Sequence, residues 1–334
     1  MGRNSFLGFS IAAHQAVAAD TFCSLAVAKG QAIGLLVNRQ KKKMQLSVFD
    51  VPPQKTETLN IYHDESGTDI AHERFQLHGA LMVPTGKLQT ALEVLKISRD
   101  GYDGKIHFVD LRDKSSSLKA TVAAKWLKIF FTEISNYCFY KCMIVDMHSR
   151  AFDKKRFAKP YLLYNNTALL AVFSGIAWSF KKYDKVTLSI FSEALTRSKD
   201  DNFETYLPSE LINRSRNRKN CPNVIVPSMK VTLVNGDPRK VEPDLACHCE
   251  FIQLTDLITG SISQALNANA SQEIKKSLGE LVASWIGDTR LPPWLQEKHL
   301  HRRFSVSCYP NNNGDFFDVK LAIVEKNQLR FEGF

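Results

Sequence analysis

Two adjacent carboxylates, Asp64 and Glu65, close the stretch Ile61-Tyr62-His63-Asp64-Glu65-Ser66-Gly67. Thr58-Leu59-Asn60-Ile61-Tyr62 before them alternates enough to be a strand entering a core. Successive strand residues point to opposite faces, so only one of the two acids can enter a common site. Asp64 is the inward candidate, Glu65 at most supports it, and Ser66-Gly67 makes the turn that leaves Asp64 at the strand end. Asp, Ser and Gly are also ordinary turn residues, so the heptad alone is satisfied by a polar strand end and a β-turn. Three further acids change that weighting. Asp146 ends the apolar run Cys138 to Val145, Glu193 follows the run Lys185 to Ser192, and Asp256 sits in an apolar helical setting after Gln253. A buried ionised carboxylate is costly unless it is paired or bound to a metal. Acids converging at one sheet edge would repel one another unless a hard cation such as Mg2+ or Mn2+ lay between them. Two such ions could activate water and stabilise the leaving oxygen in phosphodiester cleavage.

The elements that must position these acids are legible in outline. Glu73 to Val83 reads as a second strand, ended by Pro84 and close enough to the first to form an antiparallel hairpin. Leu88, Leu92 and Leu95 have the spacing of a short helix, and Lys105-Ile106-His107-Phe108-Val109 reads as a short strand. A helix over 117–136 leads into the Cys138 strand. A long helix over 161–183 leads into the Lys185 strand, and a helix over 203–214 follows. Val224-Ile225-Val226 and Lys230 to Val234 read as short strands. Helices over 249–266 and 273–285 come next, and a last strand is expected over 319–325. The order β-β-(β)-α-β-α-β-…-α predicts an α/β fold with a mixed sheet flanked by helices. Pro52-Pro53 marks the boundary between an N-terminal extension (1–56) and a main domain (57–270). Residues 271–334 read as a C-terminal helical segment and terminal strand.

Composition narrows the partners. The 334 residues are 44% hydrophobic and 23% charged, with 16 Gly and 12 Pro, which excludes a disordered or repeat protein. Lys and Arg number 44 against 34 Asp and Glu, a formal +10 that favours a polyanionic partner such as nucleic acid. Arg214, Arg216, Arg218 and Lys219 make the most basic stretch and are the candidate phosphate contacts, with Arg302 and Arg303 beside them in kind. Seven cysteines at irregular spacing fit reduced thiols rather than a disulfide framework. Cys247-His248-Cys249 lacks the second ligand pair that a tetrahedral zinc site needs. The apolar start, Ser5 to Ala13, is interrupted by His14 and Gln15 and carries only Arg3 as its basic region, so it reads as an Ala-rich helix rather than a signal peptide. No run approaches the ~20 apolar residues that span a bilayer. A cytoplasmic protein without a membrane anchor is the expectation.

The D-E-S-G strand end at 64–67, the Phe75 to Val83 strand with Gly79-Ala80, and Gln253-Leu254-Thr255-Asp256-Leu257-Ile258-Thr259-Gly260 together resemble the bacterial domain-of-unknown-function family numbered thirty-eight hundred. That family carries D-E-S-G near its start and a late Q-L-A-D-L-L-A-G helix, and is similar to RNase H-like folds. The resemblance spans about residues 57–270 and implies an RNase H-like mixed β-sheet and a divalent-metal-dependent nuclease. By position, Asp64 and Asp256 match the family's two strongest acids. The strand acid between them, commonly Asp, is here Glu193, one methylene longer, and Asp146 competes for that place. The resemblance thus implies Asp64, Glu193 and Asp256 as catalytic residues, with Mg2+ or Mn2+ held by them and by Asp146 in the competing assignment. A site altered by Glu193 also leaves open a non-catalytic nucleic-acid-binding or sensor module of a phage-defence or mobile-element system.

Overall fold

A computed structural model describes residues 54–67, 74–112, 117–157, 159–194, 199–267, 270–286, 303–309, 317–318, 321–324 and 328–331. The expected Ala-rich helix at the start and the Pro52-Pro53 boundary lie outside them, as does Arg302. Residues from Gln54 onward form one compact unit.

Strand β1 (Thr56–Ser66) is buried from Leu59 to Asp64, because both of its faces are covered. Leu59 and Ile61 enter one core and Tyr62 the other, as period-two alternation demands. The hairpin partner β2 (Phe75–Pro84) runs antiparallel to it and sets Gly79 opposite Asp64. Helix α1 (Leu88–Ile97) follows, and helix α2 (Leu118–Thr132) starts on the Ser117 side chain, which accepts a hydrogen bond from the Ala120 N–H. Strand β3 (Phe139–Asp146) pairs antiparallel with β2. Helix α3 (Pro160–Ser179) opens on a proline, whose missing N–H costs nothing in a first turn. It leads to β4 (Lys185–Glu193), which pairs parallel to β1 on the edge opposite β2. Helix α4 (Phe203–Asn217) and the short strands β5 (Asn223–Ile225) and β6 (Thr232–Val234) complete that side, both strands pairing with β4.

Helix α5 (Pro243–Asn267) is buried from Cys249 to Leu266. A helix so buried needs partners for its polar side chains, and three of its hydroxyls find them within the helix. The Thr255, Thr259 and Ser261 hydroxyls donate to the carbonyls of Phe251, Thr255 and Leu257 one turn back. Helix α6 (Glu273–Ile286) adds Ile274, Leu278, Val282 and Ala283 to the same core, and β7 (Phe304–Tyr309) extends the sheet parallel to β3. Strand β8 (Phe317–Asp318) pairs with β7, and β9 (Leu321–Val324) with β10 (Gln328–Phe331) as a separate ribbon.

The main sheet is mixed, in the order β5-β4-β1-β2-β3-β7-β8. The residues of α1, α2, α5 and α6 share one core on one face, and those of α3 and α4 fill the core of the other. Among the described residues, the elements expected from sequence are present with ends moved by a few residues, except at Lys105 to Val109. That stretch is not a strand: it is an irregular loop lying on α5. The six described cysteines are free thiols, and no described helix is long and apolar enough to cross a membrane.

Candidate active site

Strands β1 and β4 run side by side with His63 paired to Ser192, so Asp64 and Glu193 follow at the same level. Tyr62 and Phe191 stack with ring centroids 5.4 Å apart, and both lie against His248 of α5. Two residues further along each strand, Asp64 and Glu193 therefore emerge on the face that α5 covers. The helix crosses this face obliquely: Phe251 stacks on Tyr62 at 4.9 Å, and Thr259 lies over β2 beside Tyr140, 2.8 Å between hydroxyls. Asp256 falls between those two contacts. Gly79, opposite Asp64, is required by this approach, since a Cβ there would collide with the Thr259 and Tyr140 hydroxyls.

The three acids differ in how they are satisfied. Asp64 is 3% exposed, and its Oδ2 has no hydrogen-bond partner among the described residues. Burial pushes its carboxyl well above the ordinary carboxylate range, and the charges of Asp256, Glu65 and Glu193 push it further the same way. Asp256 Oδ2 accepts the Phe108 N–H at 2.6 Å, and Oδ1 lies 3.5 Å from His107 Nε2. Burial raises Asp256 to about 6, against the pull of His107 and the Phe108 N–H. Glu193 is engaged by Lys105, whose Nζ donates to Oε1 at 2.5 Å, and its Oε2 lies 4.0 Å from His107 Nε2.

The loop that brings Lys105 and His107 here is clamped by the face of α5 carrying Gln253, Asp256 and Gly260. Gln253 Oε1 accepts from the Ile106 N–H at 2.8 Å and from Arg99 Nη2 at 3.0 Å, while its Nε2 donates to the Gly236 carbonyl at 2.7 Å. Arg99 also pairs with Glu250 and donates to the Gly104 carbonyl. Gly260 admits the Phe108 ring where a Cβ would overlap it. Lys105 and His107 are the site residues that sequence reasoning missed. A basic residue and a histidine two apart were visible, but a short strand would have placed both on the edge of a sheet instead of over the acids.

Asp146 stands apart. The register Asp64–Gly79–Cys142 puts it two strands away and four residues further along, roughly 10 Å sideways and about 13 Å onward. Both of its oxygens are used: Arg74 binds them at 3.0 and 2.6 Å, and the His148 N–H reaches Oδ1 at 3.1 Å. Glu65 points to the opposite face, where the Tyr164 hydroxyl donates to it at 2.9 Å. Beside it His63 bonds Ser192 Oγ at 3.1 Å and His78 Nδ1 at 3.0 Å, a fully buried polar network that ties β1, β2 and β4 together behind the acids. The His248 ring is taken up by Phe191 and by Tyr62, whose hydroxyl is 2.8 Å from Nδ1, so Cys247-His248-Cys249 is used in packing. The expected phosphate contacts lie elsewhere again. Ser215 of α4 accepts the Val224 N–H, and Val224 pairs with Val186, seven residues before Glu193. Arg214, Arg216, Arg218 and Lys219 are thus at the opposite pole of the sheet from the acids, about 23 Å along β4.

Among the described residues, no group of three or more His, Cys, Asp or Glu is arranged to hold a metal ion as it stands. The donor chemistry nevertheless fits a hard divalent cation: three carboxylates, one with a buried oxygen that no described residue satisfies.

No protein-family model matches the chain, and no curated protein matches it. Among solved structures, it is similar to Bst ribonuclease HIII in complex with Mn2+, at 14% identity and a TM-score of 0.28, over 69% of this chain and 63% of that one. A point variant of that enzyme gives 12% identity and a TM-score of 0.27, over 71% and 67%. The comparisons show no family; the chain is a mixed α/β protein in which Asp64 and Glu193 lie at the carboxyl ends of two parallel strands and Asp256 lies midway along the helix packed on them.

Proposed function

We propose that the protein is a divalent-metal-dependent hydrolase of phosphodiester bonds in nucleic acid. The observation that carries this reading is Asp64 Oδ2, a buried carboxylate oxygen without a partner among the described residues, set among the charges of Asp256 and Glu193. Such a group is costly in an isolated fold, and a bound cation offsets the cost. Asp64, Glu193 and Asp256 would hold Mg2+ or Mn2+, which supplies Lewis-acid polarisation of a phosphoryl oxygen and activation of water. The chain's own part is positioning. β1 and β4 fix two carboxylates at one level, α5 adds the third, and α5 closes the inner side of the site against water. The same reading takes the sheet as RNase H-like: a three-strand antiparallel meander whose first strand also receives β4 in parallel brings the two acid-bearing strand ends together.

The test is incubation of labelled single-stranded, duplex and hybrid DNA and RNA with the protein, in Mg2+ or Mn2+ and in chelator. Cleavage should need the metal and fall at least about a hundredfold in Asp64→Asn and Asp256→Asn. Metal-independent cutting, or full activity in either variant, overturns the proposal. A second reading, a non-catalytic nucleic-acid-binding module, is favoured by the prior engagement of Glu193 by Lys105 and of Asp256 by the Phe108 N–H. It expects binding unchanged by chelator and by Asp64→Asn, with no cleavage.

A further inference from the structure

Lys105 is built into the site with more care than a surface lysine needs. Its side chain is 25% exposed, and its ammonium sits 2.5 Å from Glu193 Oε1. The backbone on both sides is fixed: Arg99 holds the Gly104 carbonyl at 2.9 Å, the Tyr102 hydroxyl donates to the Lys105 carbonyl at 3.2 Å, and the Ile106 N–H is held by Gln253. Only the four-carbon side chain is left to move. Behind the pair lies Gly236, where a Cβ would stand 2.7 Å from Glu193 Oε1, 2.8 Å from Lys105 Cε and 3.0 Å from Nζ. The absence of a side chain at 236 lets the ion pair sit flat against this turn.

We propose that Lys105 is a tethered counter-cation of the acid cluster, occupying Glu193 until a divalent ion displaces it. This rests on the metal reading above and adds its regulation: the protein's own ammonium competes with the incoming ion. Glu193 and Asp256 face Lys105 and His107, with Asp110 on the far side of the imidazole, so loss of the lysine leaves the metal-free site with uncompensated like charge and the metal-bound site with one competitor fewer. Burial alone would lower Lys105; the hydrogen bond and charge of Glu193 outweigh it and hold the ammonium charged.

Isothermal titration of Mn2+ into wild type, Lys105→Met and Lys105→Arg tests this, with melting temperatures in chelator beside it. Lys105→Met should bind Mn2+ about tenfold more tightly while melting lower in chelator, and Lys105→Arg should stay within about twofold of wild type. Equal or weaker Mn2+ binding by Lys105→Met overturns the proposal and leaves the metal reading standing. Absence of Mn2+ binding by wild type removes both. Should Lys105→Met not fold, the wild-type protein serves: the Lys105 ammonium NMR signal, assigned through Lys105→Arg, should shift as Mg2+ saturates the site. An unmoved signal under saturation overturns the proposal as well.

Discussion

Asp256 binds its proton more tightly in the folded protein than in the unfolded chain. Its carboxyl rises from 3.8 to about 6, chiefly by burial. Below pH 3.8 it is protonated in both states and contributes no difference; above about 6 it is ionised in both, and the whole cost is present. Stability of the metal-free protein therefore falls as pH rises through that window, by about 3 kcal/mol from this group. Asp64 is raised in the same direction by burial and by its acidic neighbours, so its cost also grows as pH rises above the ordinary carboxylate range. Asp237 runs the other way: Arg239 holds it down at about 2, and its contribution is lost only in strong acid. Urea denaturation in chelator should thus give a less stable protein at pH 7.5 than at pH 5. Asp256→Asn keeps an oxygen for the Phe108 N–H and removes the charge. It should raise stability at pH 7.5 by up to about 3 kcal/mol, flatten the fall between pH 4 and 6, and abolish cleavage. A variant that is stabilised and inactive separates a functional acid from a structural one. If Asp256→Asn destabilises the protein at pH 7.5, the acid serves the loop clamp alone.

At the scale of the element, α5 carries two tasks on one stripe. Gln253, Asp256 and Gly260 recur at helical spacing, and each receives a different part of the 105–108 loop: Ile106 N–H, Phe108 N–H and the Phe108 ring. Removing the amide in Gln253→Ala leaves the Ile106 N–H and the Gly236 carbonyl unpaired in a buried setting, at roughly 1–3 kcal/mol each. A loss of about 3 kcal/mol in urea denaturation is expected, with the Ile106 and Phe108 amides losing hydrogen-exchange protection first. Gly260→Ala should also destabilise, by about 1–3 kcal/mol, because its methyl needs the space the Phe108 ring fills. The spacing of Gln253 and Asp256 in an apolar helix was visible in the sequence, as were the strand ends at Asp64 and Glu193, because hydrophobic periodicity survives in a single chain. What occupies the helix stripe was not visible. The loop holds itself by side chain to backbone bonds from distant residues, and such bonds leave no periodic trace. The choice between Glu193 and Asp146 was equally closed to sequence. Both end apolar strands, and only the register shows that one neighbours β1 while the other lies beyond β2 with Arg74 on it.

At the scale of the described sheet, the acids and the basic run lie at opposite ends of β4. The acids gather where β1 and β4 end, while the basic run of α4 ends near where β4 begins, about 23 Å away. There Arg214 and Arg218, one turn apart, line a groove with Asn213, Asn217, Glu210 and Phe173, and the Arg218 guanidinium lies 5.5 Å over the Phe173 ring. Arg214 is only loosely held by Glu210 at 3.8 Å, so its charge is available to a phosphate. A duplex touching both poles would extend over at least ~7 base pairs at 3.4 Å each. The basic run can therefore assist a nucleic-acid-cutting site only as a distant anchor. Replacing both arginines, in Arg214→Ala with Arg218→Ala, should weaken binding of a 20-base-pair duplex and reduce the salt slope by about 1.8, or 0.9 for each lost phosphate contact. Mn2+ affinity and the cleavage rate at saturating duplex should not change, because neither residue reaches the acids. Cleavage of duplexes shorter than the span should be alike in the double variant and the wild type, since such a duplex at the acids cannot reach the groove. If instead the salt slope is unmoved with the long duplex, the +10 of the chain acts through other surfaces and the groove on α4 does not hold nucleic acid.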